Sequence, residues 1–217
     1  MAAALPSGES GLAELMRVIA GTYCSRILKS LKGLELRPTS DRLRETLFNV
    51  LGDGVAGSRF LDLFAGTGAI GIEALSRGAA EVVFVENHPP ATTLIRRNLE
   101  SLKIRNGAQV LAADALRGLE MLASRQKTKT ARYDYIFLDP PYSAAKEYTR
   151  VLEFLGSAGL LARRGMVIAE HRRSFDLPEK AGALQRFRIL RQGDAALSFY
   201  RCSIAEEKAV PEEKSSA

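Results

Sequence analysis

Cysteine and histidine are almost missing from this chain of 217 residues, with two of each. Cys24 and Cys202 cannot supply the disulfide framework of a small secreted protein. His88 and His171 have no companions at ligand spacing, so no metal centre is expected. No apolar run approaches the roughly 18 residues that a membrane span requires. The opening MAAALPSGESG lacks a basic segment leading into an apolar one, which argues against a secretory signal. A reducing cytoplasm is therefore the expected setting, with no membrane partner. Internal repeats are absent. Aromatic residues are sparse, yet 46% of the chain is hydrophobic, which excludes wholesale disorder and allows a sizeable core.

Charge is present in excess of one sign. The net charge is +6, and it is clustered. Residues 15–44 hold seven basic side chains (Arg17, Arg26, Lys29, Lys32, Arg37, Arg42, Arg44) against two acidic ones. Residues 117–132 hold five against one, and 163–191 eight against three. One such patch is an ordinary solvated surface. Several together favour a polyanionic partner, since phosphate backbones attract them.

Both ends, 1–13 and 205–217, are polar or charged and expected to be flexible. Residues 14–57 form a basic N-terminal extension of short strands followed by a helix. Pro38 disfavours helix before it, Thr39, Ser40 and Asp41 offer caps, and Leu43, Leu47, Val50 and Leu51 mark an amphipathic helix over 40–51. From residue 58 to 204 short apolar strands alternate with helices: RFLDLF, EVVFVE, AQVLAA, YDYIFLD and GMVIAEH are the strands. RFRIL and ALSFYRCSI then suggest a terminal antiparallel hairpin. This alternation predicts an α/β fold, a mostly parallel, Rossmann-like sheet with helices on both faces. In such a sheet ligands bind beyond the strand C-termini, so the residues just after strands are the informative ones.

After the first strand comes Ala65-Gly66-Thr67-Gly68-Ala69-Ile70-Gly71. Glycines there permit a tight turn and bring a ligand against bare backbone, and the following helix aims free N–H groups at it. Glu86 ends the second strand, 20 residues beyond Gly66, where a carboxylate suits a ribose diol. Asp62 precedes the glycines. It would repel a pyrophosphate and attract an ammonium or sulfonium group, which favours S-adenosylmethionine over a dinucleotide. Asp114, after the third strand, is placed to accept from an adenine amine or to cap the next helix.

The most specific segment is Asp139-Pro140-Pro141-Tyr142, which follows the fourth strand. The prolines stiffen the turn and aim the Asp139 carboxylate and the Pro140 carbonyl. Two fixed acceptors suit an amino group with two hydrogens, such as the exocyclic amine of a nucleobase. Accepting both hydrogens favours a pyramidal nitrogen whose lone pair can meet an electrophilic methyl. Tyr142 offers a ring for an extruded base to stack on.

On these residues the chain resembles the RsmD-type family of bacterial 16S ribosomal RNA guanine-N2 methyltransferases. The likeness rests on RVIAGTYCSR with LRPTSDRLRETLFNVL, on LDLFAGTGAIGIEALSRGA and on IFLDPPY. The glycine and Asp-Pro-Pro-Tyr segments are shared with many amine methyltransferases, whereas Arg37-Pro38-Thr39 with Asp41, Arg42, Arg44 and Glu45 is narrower. The resemblance implies a class I methyltransferase fold with a seven-stranded sheet and S-adenosylmethionine as donor. It also implies a guanine of 16S RNA in the small ribosomal subunit, or in an assembly intermediate, as acceptor; a monomer is expected. The family often has Arg-Gly-Arg after an aromatic in the N-terminal turn, where this chain has Cys24-Ser25-Arg26 after Tyr23.

Three alternatives are open at this level. An adenine-N6 nucleic-acid methyltransferase would use the same turn. A nicotinamide-dependent oxidoreductase would use the same glycines and Glu86. A non-catalytic RNA-binding module could retain the fold. His171 is expected at the surface, and Asn98 either supports Glu86 or is structural.

Overall fold

The computed structural model describes residues 16–30, 41–125, 132–141 and 145–203. Tyr142, the expected flexible ends and the basic residues Lys32, Arg37, Lys127 and Lys129 lie outside them. Helix α1 (Asp41–Leu51) leads through a short 3-10 turn into strand β1 (Arg59–Leu63). Then follow α2 (Ala69–Ser76), β2 (Glu81–Glu86), α3 (Pro89–Ser101), β3 (Ala108–Ala112), α4 (Ala115–Arg125) and β4 (Tyr133–Leu138). The chain continues with α5 (Ala145–Ala158), β5 (Leu161–Arg172), β6 (Lys180–Ala181), β7 (Leu184–Gln192) and β8 (Ala195–Cys202).

The strands form one sheet in the order β3-β2-β1-β4-β5-β8-β7-β6. The first five are parallel, and β8, β7 and β6 are joined antiparallel. The expected α/β architecture and terminal hairpin are both present. The sheet has eight strands where seven were expected, and the extra one is the two-residue β6, too short to leave a sequence signal. The strand order reverses between β1 and β4, because β1 connects leftward to β2 and the chain later returns to its other side. That is the switch point at which a crevice opens.

The central strands are buried on both faces and accordingly read as continuous apolar runs such as EVVFVE. Two apolar clusters flank the sheet. On one face Phe60, Val82, Phe84, Phe137, Ile168 and Phe199 pack with α2 and α3. On the other, Leu61, Val83, Ile136, Val167 and Tyr200 pack with α4 and α5. The alternation assigns each strand residue to a face by parity.

The N-terminal segment belongs to the first face. Met16, Val18 and Leu28 are buried in its cluster. Its strands are shorter than the sequence suggested, with a single bridge among the described residues, Arg17 to Ile27. The turn between them is fastened to α2 by polar bonds. The Glu73 carboxylate accepts from the amides of Ile19 (2.7 Å) and Ala20 (3.0 Å), and the Ser76 hydroxyl accepts from the amide of Tyr23 (2.9 Å). Arg44, fully buried, spans from Asp41 to the Arg17 carbonyl.

Candidate active site

The register fixes the site before any ligand is considered. Leu63 lies opposite Val85 in β2 and Leu138 in β4, and Leu138 lies opposite Ala169 in β5. One residue further along each strand stand Glu86, Phe64, Asp139 and Glu170. By parity Glu86 follows Phe84, Asp139 follows Phe137 and Glu170 follows Ile168, so all three carboxylates continue the same face. Asp62, following Phe60, shares it. Four acids thus converge on one edge of one face, with Glu86 and Asp139 about two strand spacings, roughly 10 Å, apart.

The turn after β1 is strained. Phe64, a residue with a Cβ, holds φ +58°, in the left-handed region that costs a non-glycine residue about 1 kcal/mol or more. Gly66 and Gly68 take φ +54° and +78° without that cost, and Gly68 caps α2. Gly71 answers a different need: a Cβ there would meet the Phe84 ring at 2.2 Å, so the helix could not lie this close to β2.

Glu86 organises this turn. One oxygen accepts from the Gly66 amide (2.8 Å) and the other from the His88 amide (2.8 Å). Each oxygen keeps a further lone pair. Asn98 supports the loop from behind: its amide nitrogen donates to the Thr67 carbonyl (3.2 Å) and to Lys29 O (3.1 Å), while its oxygen accepts from Lys29 N (2.9 Å). Asn98 therefore links the glycine loop to the N-terminal segment, as does the Thr67 hydroxyl through the Met16 sulfur (3.4 Å), and its hydrogen bonds go to Thr67 and Lys29.

Asp62 is 1% exposed and accepts from the Gly71 amide at 3.0 Å. Burial lifts its carboxyl well above the ordinary range; the Gly71 bond opposes that and the Glu86 charge adds to it. Asp139 is lifted well above the ordinary range too, by burial first, then by the charges of Glu170 and Asp62. Its turn is braced from α5. The Tyr148 hydroxyl donates to the Glu170 carbonyl (2.6 Å) and stands 3.5 Å from the Pro140 carbonyl. Asp114 is exposed, and its side chain caps α4 through the Arg117 amide (3.0 Å).

Ala65, Gly66, Thr67, Gly68, Glu86 and Asp62 are thus gathered around one turn, and Asp139 with Pro140 and Pro141 stands beside it. The expected surface histidine is a correction: His171 is buried, its ring bonded to the Ser198 hydroxyl (2.8 Å) and the Arg172 carbonyl (2.9 Å). Its position in a strand paired on β8 buries it, which the local sequence did not reveal. Sequence reasoning also passed over Glu73, Ser76 and Tyr148, whose partners are distant in the chain. A carboxylate on an otherwise apolar helix, AIGIEALS, was the available signal for Glu73.

Known proteins resemble this chain over most of its length. The family model described as Conserved hypothetical protein 95 matches residues 16–201. The chain is 39% identical to YlbH of Bacillus subtilis over 186 residues, covering 86% of this chain and 98% of that one. It is 34% identical over 163 residues to ribosomal RNA small subunit methyltransferase D of Escherichia coli K12, covering 75% and 78% of the two chains. Among solved structures, yhhF of Escherichia coli superposes with a TM-score of 0.74 at 28% identity, covering 88% of this chain and 99% of that one.

Proposed function

The chain belongs to the RsmD-type family of bacterial 16S ribosomal RNA guanine-N2 methyltransferases, and from that premise we propose which residues perform the methylation of a guanine N2 amine in small-subunit RNA. The observation that carries the assignment is the meeting, at one register level, of a strained glycine turn held by Glu86 and a proline-stiffened Asp139.

S-adenosylmethionine supplies an electrophilic methyl on a sulfonium, with a neutral thioether as leaving group. The residues present suit it. A Cβ at Gly66 would meet only the Phe64 carbonyl oxygen, at 3.9 Å, so the turn leaves room for a ligand against it. Glu86 would hold the ribose hydroxyls through its remaining lone pairs, exposed Asp114 would serve the adenine amine, and Asp62, where ionised, would favour the cationic sulfonium from behind the loop.

Asp139 and the Pro140 carbonyl accept the two hydrogens of the guanine amine, which frees the nitrogen lone pair from the ring. Tyr142 stacks on the extruded base. With the donor bound, the N–C bond would form as the donor's C–S bond broke, and Asp139 or water would take the surplus amine proton. Burial and neighbouring acids raise the Asp139 carboxyl, so its ionised form is a better base than a surface aspartate. The substrate is 16S RNA within the small subunit or an assembly intermediate of it, the protein acting as a monomer.

The test is Asp139→Ala assayed with labelled donor and small subunits lacking the modification, followed by nucleoside mass analysis. Donor binding is retained and N2-methylguanine formation is lost. Unchanged turnover would overturn the role of Asp139, and label in N6-methyladenine would overturn the acceptor.

A further inference from the structure

Strand β7 carries a feature that methyl transfer does not use. β6 pairs with β7 only at Leu184 and Gln185, and the Arg186 amide bonds back to Glu179. From Phe187 to Gln192 the outer edge of β7 has no strand partner among the described residues. The β7–β8 register slips between Arg186 and Arg188, which makes Phe187 the extra residue of a bulge. A bulge turns a side chain out of the ladder, and Phe187 is 42% exposed.

Arginines surround this ring. The Arg201 guanidinium lies over Phe187 at 5.0 Å, and that of Arg188 lies over Phe199 at 5.8 Å, the two rings being 6.3 Å apart. Arg191 follows on the same open edge but, by the strand alternation, on the other face. Among the described residues none of Arg188, Arg191 and Arg201 is in an ion pair, in contrast to Arg186, which faces Asp176 and Glu179. Here the exposed charge is of one sign around one exposed aromatic.

The location is connected to the catalytic edge. Phe137, Ile168, Phe199 and Arg188 are successive register partners across β4, β5, β8 and β7. The platform therefore lies on the face of the four carboxylates, three strand spacings from β4, about 14 Å. That is a span of a few nucleotides.

We propose that Phe187, with Arg188 and Arg201, is a stacking platform for an unpaired base of the RNA substrate flanking the target guanine, its phosphates held by Arg188. Every base has a face that stacks on an aromatic ring or on a guanidinium plane, and the arginines take the backbone charge. This rests on the RNA-methylation assignment above and adds a second contact to it.

The experiment measures binding of protein-free small-subunit RNA across a salt series, together with methylation kinetics. Phe187→Ala weakens binding roughly tenfold with the salt slope unchanged, and Phe187→Tyr restores it. Arg188→Gln with Arg201→Gln flattens the salt slope by about one to two. All three variants keep kcat, and the loss is in KM for RNA. Equal RNA affinity of Phe187→Ala and wild type would overturn the platform. So would a loss seen only on protein-containing subunits, which would make a ribosomal protein the occupant. If the platform variants lose RNA affinity while the wild type methylates no guanine, the platform stands and the catalytic assignment fails.

Discussion

The two carboxylates that flank β1 sit at the same register level and live in opposite conditions. Glu86 spends both oxygens on backbone amides, so its charge is compensated and its position over-determined. Asp139 faces Glu170 and Asp62, and burial and like charge push its carboxyl upward. A satisfied acid is a fixed charge that shapes a loop and holds hydroxyls. A frustrated acid is one that takes a proton. The difference divides the edge into a donor half, on β1 and β2, and an acceptor half, on β4 and β5. Each half also carries its own outlying segment: the N-terminal turn is fastened to α2 and α3, and the C-terminal hairpin extends from β5.

The division is broken or upheld most directly by paired substitutions. Asp139→Ala lowers kcat at saturating donor by about a hundredfold to a thousandfold, the scale of losing one preorganised polar contact in an active site, with donor affinity unchanged. Glu86→Ala does the reverse, weakening donor affinity by about tenfold to a hundredfold by calorimetry with a small change in kcat. If both variants lost donor binding alike, the edge would be one site and not two halves.

The next largest effect concerns what the donor half carries. Glu73 is fully buried, and its carboxylate accepts from Ile19 N, Ala20 N and the Arg77 guanidinium. Glu73→Ala strands these donors and costs about 3 kcal/mol, or roughly 8 °C in Tm, measured by thermal unfolding. Limited proteolysis should then cut first within 16–30. An unchanged cleavage pattern would mean that the turn is held by its apolar residues alone.

A smaller and more diagnostic effect is the pH dependence of stability. The Asp139 carboxyl is raised in the folded state, so the native protein binds more protons than the unfolded chain. The stabilisation is complete below the unfolded value of about 3.9 and is lost as pH rises through the raised folded value. Asp139→Asn, which cannot ionise, should melt with wild type near about pH 4 and a few degrees above it at neutral pH. A constant offset at all pH values would show that Asp139 is not frustrated in the fold.

The edge itself was legible because strands followed by glycines, acids or prolines carry local signals: Gly66–Gly71, Glu86 and Asp139 can each be read within a few residues. What ties the edge together was not legible. Asn98 bonds to Thr67 and Lys29, and Tyr148 to Glu170, contacts between residues 22 to 69 positions apart that only the folded sheet creates. The same limit hid His171, whose burial depends on its pairing with β8.

The departure at the N-terminal turn gives the smallest and last prediction. Where the family often has Arg-Gly, this chain has Cys24-Ser25, and Ser25 holds φ +63°. That is a conformation glycine adopts freely and serine does not, so the substitution left the backbone path in place and charged it with strain. An L-residue in that region costs about 1–2 kcal/mol, and glycine returns about 0.5–1 kcal/mol of that as added freedom in the unfolded chain. Ser25→Gly should therefore stabilise by about 0.5–1 kcal/mol, or roughly 2 °C in Tm. Cys24 is exposed, its thiol donating to the Ile19 carbonyl, so Cys24→Arg adds a cation without disturbing a core. It should steepen the salt dependence of RNA binding by about one and leave kcat alone. A change in kcat from either substitution would mean that the N-terminal turn reaches into the acceptor half, and the two halves of the edge would have to be treated as one.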